Sequence, residues 1–170
     1  GLNGLVLGYY SIIVFIILNT NLNESLNFQT ILMINFLIIL IILLFANFTN
    51  KIFLGDNGSY LIGFLFSIYL IRIHQINLEL SPYFIILLLW YPCFENLFSI
   101  IRKKISKTLA TEPDNNHFHQ LFFLFISRKL NLKNKLIANN LSSIIINFYN
   151  LTIFYVGIQK LNSSTFQIQL

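Results

Sequence analysis

One carboxylate stands apart from the rest of this chain. Asp56 lies in the run Lys51-Ile52-Phe53-Leu54-Gly55-Asp56-Asn57-Gly58-Ser59, between glycines and at the mouth of a long apolar segment. A carboxylate there is costly unless it meets water, a metal or a cation, which makes it a site candidate. The plain alternative is an acidic residue at an exposed helix N-terminus. Two further polar clusters could join it: Gly1-Leu2-Asn3-Gly4-Leu5, and Glu112-Pro113-Asp114-Asn115-Asn116-His117-Phe118-His119-Gln120. Carboxylates, a carboxamide and two imidazoles, with basic residues nearby, suit a site handling a divalent metal and phosphates. Mg²⁺ takes oxygen ligands and is usually held by one or two carboxylates plus substrate phosphates. Lys and Arg then neutralise the remaining phosphate charge.

The histidines carry less on their own. His117 and His119 are two apart, so on a helix they would diverge by about 200°. They converge only if the chain is extended or turns there, which Pro113 permits. Histidines on the surface beside an amphipathic helix would look the same. Glu95 and Arg102, seven residues apart, fall on one helix face. Arg102 and Lys103 are read as phosphate contacts. Glu95 either orients a cation or forms a structural ion pair with a neighbouring helix.

The elements that must position these groups belong to a membrane. Of 170 residues, 56% are hydrophobic and only 10% charged, against about 25% charged in soluble domains, and mean hydropathy is +0.71. Five apolar segments approach the length of about 20 residues needed to span a bilayer: Leu5–Leu18, Thr30–Ala46, Gly58–Ile71, Pro82–Ile101 and Leu136–Gly157. The fold class expected is an all-α, polytopic transmembrane bundle. Leu121–Ile126 is too short to span and is expected at the interface. Pro92 is expected to kink the fourth segment. The small residues Gly55, Ser59, Gly63 and Ser67 are expected to let a neighbouring helix approach closely. Asn139, Ser143, Asn147 and Asn150 form a polar stripe, read as hydrogen-bonding glue between helices. The general abundance of Asn is put down to compositional bias. The single Cys93 excludes an internal disulfide framework and a cysteine-based zinc site.

Charge sets the orientation. Alternating the loops puts Lys51, Arg102, Lys103, Lys104, Lys107, Arg128, Lys129, Lys133 and Lys135 on one side and Arg72 and Lys160 on the other, 9 against 2 of the 11 basic residues. The positive-inside rule makes the first side cytoplasmic. The net charge of +5 is thus a topological signal, and no nucleic-acid partner is needed to explain it.

Together the three clusters resemble the polyprenyl-phosphate N-acetylhexosamine-1-phosphate transferases, over about residues 1–125. Gly1-Leu2-Asn3-Gly4-Leu5 is similar to the end of that family's Asn-x-x-x-Asp-Gly-x-Asn-Gly-Leu motif. The Asp56 run resembles its metal-binding Phe-(Met/Leu)-Gly-Asp-x-Gly-Ser signature. Pro113-Asp114-Asn115-Asn116-His117-Phe118-His119 resembles the Pro-Asp-x-x-His-x-His loop of the sugar-transferring branch, and Pro92 to Lys103 has that branch's look. The resemblance implies transfer of a sugar phosphate from a UDP-sugar to a polyprenyl phosphate at the start of cell-envelope polysaccharide or O-antigen synthesis. Mg²⁺, or Mn²⁺ in its place, would be the cofactor. Asp56 would be the metal ligand, catalytic together with His117 and His119, and Asn3, Lys51, Arg102, Lys103 and Asp114 would bind substrate. It also implies a multi-pass protein of the bacterial inner membrane, its site cytoplasmic, with a homodimer as an open assembly.

The departures are specific. The family's paired-Asp motif and the Asp ahead of Gly1 are absent. The run Asn47–Lys51 is one residue shorter than usual and lacks its proline, and the triple His of the muramoyl branch is missing. Residues 1–170 are accordingly expected to be one integral membrane domain, the C-terminal portion of a longer chain, and catalytically incomplete alone. The rival from another class is a transporter or channel segment with Asp56 as an ion site at a broken helix. It expects the polar site near mid-bilayer.

The charge split yields a direct test. Cysteines placed at 56, 102 and 117 in intact cells should resist a membrane-impermeant thiol reagent, while positions in Asn19–Gln29 and Arg72–Ser81 should react. Labelling of position 117 from outside would overturn the orientation.

Overall fold

The computed structural model describes residues 1–20, 22, 27–107 and 116–170. Its helices are α1 (Leu5–Leu18), α2 (Asn27–Phe48), α3 (Gly55–Ile76), α4 (Pro82–Leu88), α5 (Trp90–Ile105), α6 (Phe118–Lys129), α7 (Lys135–Gly157) and α8 (Ser164–Gln169), with a 3₁₀ turn at Ile158–Lys160. No strand interrupts them among the described residues. The chain is an all-helical polytopic membrane bundle. Segments of α2, α3 and α7 are long and apolar enough to cross a bilayer, and α4 with α5 makes a fourth if the broken pair is one span.

α1 is the centre of the bundle. Leu7, Tyr9, Ile13, Val14, Ile16 and Ile17 are all buried, and the helix packs mainly against α2 and α7. A helix apolar all round belongs in a core, which accounts for the sequence pattern of α1. By contrast α2 turns most of its surface outward, with Ile31, Ile34, Ile38, Ile42 and Phe45 exposed. In a bilayer that face meets lipid. α3 buries Ile62, Phe66, Tyr69 and Ile73, three or four residues apart on one face.

Polar contacts sort to the two ends of the bundle. At one end Asn77 Nδ2 donates to Leu22 O (3.2 Å) and Ser81 N–H donates to Leu161 O (3.1 Å). Gln167 Nε2 donates to the Gly157 and Lys160 carbonyls (2.8 and 3.0 Å), closing the end of α7. At the other end Asn3 N–H donates to Asn139 Oδ1 (2.6 Å), Asn3 Nδ2 to Asn50 Oδ1, and Gly4 N–H to Asn47 Oδ1. Asn140 Nδ2 reaches Phe48 O (2.9 Å) and Asn147 Nδ2 reaches Gly4 O (3.1 Å). Residues expected on the same side of the membrane therefore meet. Several of the asparagines ascribed to compositional bias are cross-links at this second end.

Two glycines there hold left-handed backbone, Gly4 at φ 74° and Gly55 at φ 65°, a region open at little cost mainly to glycine. A Cβ on Gly4 would also lie 2.3 Å from Cε1 of Phe48. α2 ends with Asn50 at φ 57° and Lys51 N–H donating to Ala46 O (2.9 Å), a Schellman closure with Asn in place of glycine. A proline at position 51 would lack the N–H that closes it.

Two expectations need correction. The third segment runs 22 residues, Gly55–Ile76, because the helix takes in the glycine-rich run and Arg72. The small-residue stripe on α3 does not seat a helix along its length. Ser59 and Ser67 bond back to the carbonyls of Gly55 and Gly63 (2.9 and 2.8 Å), Ser67 is exposed, and at Gly63 the close approach is the Tyr10 hydroxyl. Pro92 does kink the fourth segment, the break falling at Leu89, about one turn before it, where α4 and α5 diverge by 66°. Proline lacks the N–H that would bond four residues back, at Leu88, so the damage appears on the N-terminal side. The Leu88 carbonyl accepts from Tyr9 Oη instead (2.6 Å). The stretch at 121–126 lies within the 12-residue helix Phe118–Lys129, which is too short to span, as expected, and packs against α7.

The polar stripe on α7 is only partly glue. Asn147 bonds α1, whereas Asn150 is fully buried and both its amide atoms lack a hydrogen-bond partner. An unpaired buried amide costs about 1–3 kcal/mol. Asn150→Leu should therefore hold or raise the melting temperature in detergent. Asn147→Leu, which removes the bonds from Nδ2 to the Gly4 and Leu5 carbonyls, should lower stability by about 1 kcal/mol. Equal losses from the two would contradict this partition.

Candidate active site

Asp56 occupies the first turn of α3 and is exposed. With Gly55 left-handed, helical backbone begins at Asp56 itself, so its carboxylate lies at the positive end of the helix dipole. It lines a cavity of about 270 Å³ together with Asn3, Gly4, Asn47, Phe53 and Ser59. Asn3 is buried and doubly tied to Asn139 and Asn50, so it shapes the wall rigidly. Among the described residues lining this cavity, Asp56 is the one carboxylate. No group of three or more His, Cys, Asp or Glu side chains able to hold a metal occurs among the described residues. A cation here would depend on Asp56 plus oxygens from substrate and water. That fits Mg²⁺, which keeps several waters and favours phosphate, and does not fit a closed structural site.

The histidines converge. His117 is extended, φ −62° and ψ 154°, and ends the chain's approach to α6. His119 is already in the first turn. That change of backbone state removes the divergence two helical residues would show. The rings lie nearly parallel, at 11°, with centroids 5.6 Å apart in an offset stack. Gln120 Oε1 accepts from the His117 N–H (3.2 Å) and steadies the turn.

Glu95, one turn beyond Pro92 on α5, organises this pair. Its Oε1 accepts from Tyr91 Oη (2.6 Å), from the His119 N–H (3.0 Å) and from the His119 ring at Nδ1 (3.0 Å). Its Oε2 accepts from the Phe118 N–H (3.1 Å). The structural alternative for Glu95 is therefore the one realised, as a tie between helices and a cap on α6. Tyr91 and Glu95 stand four apart on α5, a spacing that brings side chains together and that the sequence displays. Nothing local in the sequence joins Glu95 to a helix start more than twenty residues later.

Glu95, His117 and His119 line a second cavity, also about 270 Å³, with Tyr10, Tyr91 and Ser59. Val6 and Ser59 border both cavities, so Asp56 and the histidines occupy adjoining spaces at one end of the bundle. Lys103 is buried near the end of α5. The charges of Arg102 and Lys103 bear on His117, which burial above all, then the neighbouring His119, holds below its ordinary pKa. Lys51 is exposed and does not line the Asp56 cavity. Asp114 and Pro113 lie outside the described residues.

Fold and site define a multi-pass helical membrane protein with Asp56 and the histidine pair in adjoining cavities at one end. Two curated proteins are similar to it. A probable undecaprenyl-phosphate N-acetylglucosaminyl 1-phosphate transferase of Bacillus subtilis (strain 168) is 36% identical over 84 residues, covering 48% of this chain and 24% of that protein. An undecaprenyl-phosphate alpha-N-acetylglucosaminyl 1-phosphate transferase of Thermotoga maritima is 34% identical over 80 residues, 47% and 25% of the two chains. The similarity thus spans about a quarter of the length of these relatives. Both names agree with the resemblance carried by the three clusters. No family model and no solved structure matches the chain.

The lowered pKa of His117 gives a titration test. Its neutral form is favoured in the folded protein, so its contribution to stability is complete above the unfolded value of about 6.5. The contribution is lost as pH falls from there through the folded value, because the unfolded chain binds the proton first. The His117 ring resonances should titrate with a midpoint below 6.5. A midpoint at or above that value would contradict the burial.

Proposed function

We propose that this chain forms part of a transferase that moves N-acetylglucosamine-1-phosphate, or a related N-acetylhexosamine-1-phosphate, from a UDP-sugar to a polyprenyl phosphate in the membrane. The observation that carries the reading is the adjacency of the Asp56 and histidine cavities, which share Val6 and Ser59. Similarity to two transferases of that name supports it. A transporter site would lie near mid-bilayer, whereas Asp56 starts a helix beside a loop.

In this reaction a lipid phosphate oxygen attacks the phosphorus that carries the sugar. The new P–O bond forms as the bond to the UMP oxygen breaks, and UMP leaves with that electron pair. Little covalent work falls to the protein, and positioning with charge neutralisation does most of it. Asp56 would hold Mg²⁺, which supplies charge neutralisation at the diphosphate. Arg102 and Lys103, close enough to act on His117, would bind phosphate oxygens, Arg102 as a fork and Lys103 as a point charge. The stacked histidines would meet the nucleotide-sugar, and Asn3 would fix the wall opposite Asp56. With the cation-rich end inside, the site faces the cytoplasm of a bacterial inner membrane, where nucleotide-sugars are soluble and the lipid phosphate lies in the same leaflet. The product would begin a cell-envelope polysaccharide.

Asp56→Asn keeps the shape and removes the charge that a hard cation requires. In membranes carrying the full-length protein it should abolish UMP release from UDP-N-acetylglucosamine while expression and membrane insertion persist. Turnover like that of the wild type would remove Asp56 from the role of metal ligand.

A further inference from the structure

Glu95 does more than a simple ion pair between helices requires. Four donors converge on its two oxygens: the Tyr91 hydroxyl, the Phe118 and His119 amides, and the His119 ring at Nδ1. An ionised carboxylate is acceptor only, so the ring contact has one polarity, with Nδ1–H donating. The two amides belong to the first turn of α6, whose N–H groups have no partner within the helix. One side chain on α5 therefore sets both where α6 begins and which ring nitrogen of His119 carries the proton. In a neutral imidazole so held, Nε2 is the acceptor. The His117 ring lies nearly parallel beside it.

We propose that Glu95 is a positioning residue that fixes His119 as the Nδ1–H tautomer, stacked on His117, so that Nε2 accepts a hydrogen bond from the nucleotide-sugar. The last clause rests on the proposed transfer reaction; the tautomer rests on the Glu95 geometry alone. The substrate group met by Nε2 must be a donor, an amide or imide N–H or a sugar hydroxyl. Diphosphate oxygens, which only accept, fall instead to Arg102 and Lys103. The two kinds of basic residue at this end of the bundle thus divide the substrate between them by hydrogen-bond polarity.

Nitrogen-15 spectra of histidine-labelled full-length protein in detergent, without substrate and at about pH 8 where imidazoles are ordinarily neutral, read the tautomer directly. The His119 signals are assigned from their loss in His119→Gln. The wild type should show Nδ1–H. Glu95→Gln replaces one acceptor oxygen with an NH₂ group, so the population should move toward Nε2–H. Turnover by that variant should fall about tenfold or more in kcat/KM for the UDP-sugar, the scale of one lost and mismatched hydrogen bond. Tyr91→Phe removes a donor without touching the ring contact and should keep Nδ1–H. A wild-type Nε2–H tautomer would overturn the proposal, and that measurement needs no variant to fold. So would a folded Glu95→Gln protein with unchanged tautomer and turnover. A wild-type Nδ1–H tautomer in a protein that does not use nucleotide-sugars would overturn the transfer reading and leave the Glu95–His119 arrangement standing.

Discussion

The start of α1 is the constraint on which the rest depends. A helix that begins inside a membrane protein exposes N–H groups to a medium that cannot hydrogen-bond them. Here carboxamides from other elements meet the backbone of the preceding turn: Asn47 takes the Gly4 N–H and Asn139 the Asn3 N–H. Asn147 binds the Gly4 carbonyl from the other side. Since α1 is the buried centre, fixing its first turn fixes the ends of α2 and α7 against it. The wall of the Asp56 cavity is the same turn. The scaffold and the site are therefore one set of hydrogen bonds, which explains why Gly4 must be left-handed and must lack a Cβ against Phe48.

The second support is the broken helix. Pro92 removes a donor, the Leu88 carbonyl is released, and the Tyr9 hydroxyl on α1 takes it up. A carbonyl left unpaired in an apolar setting costs about 1–3 kcal/mol, so the hydroxyl stabilises the bent form over a straight one that would meet proline's ring. From that bend α5 carries Glu95 to the start of α6. Tyr9 also packs on Tyr10, Tyr91 and Phe154, so the central helix, the break and the histidine pair share one aromatic neighbourhood.

Much of this was legible in the residues. The Leu5–Leu18 segment has the helix bounds read from its apolar run, and the alternation of loops agrees with the two sets of polar contacts. The extended backbone at His117 is the condition that spacing alone set for convergence. Other features were hidden for physical reasons. Small residues at four-residue intervals did not mark a packing face, because the serine hydroxyls satisfied themselves on their own helix. The proline's effect surfaced three residues earlier, since its missing bond points backward. Glu95 as a cap depends on contacts between distant parts of the chain, for which local pattern holds no signal. The asparagines looked like composition because each cross-link joins residues 43 to 143 positions apart.

The shortness of α1 has a consequence for the depth of the cleft. Its 14 residues rise about 21 Å, some 9 Å less than the hydrocarbon thickness of about 30 Å. Because α1 is buried among its neighbours, the shortfall falls within the bundle and not on the surrounding lipid. Wherever the shortfall is taken at the Gly4 end, the floor of the Asp56 cavity lies beneath the headgroup plane.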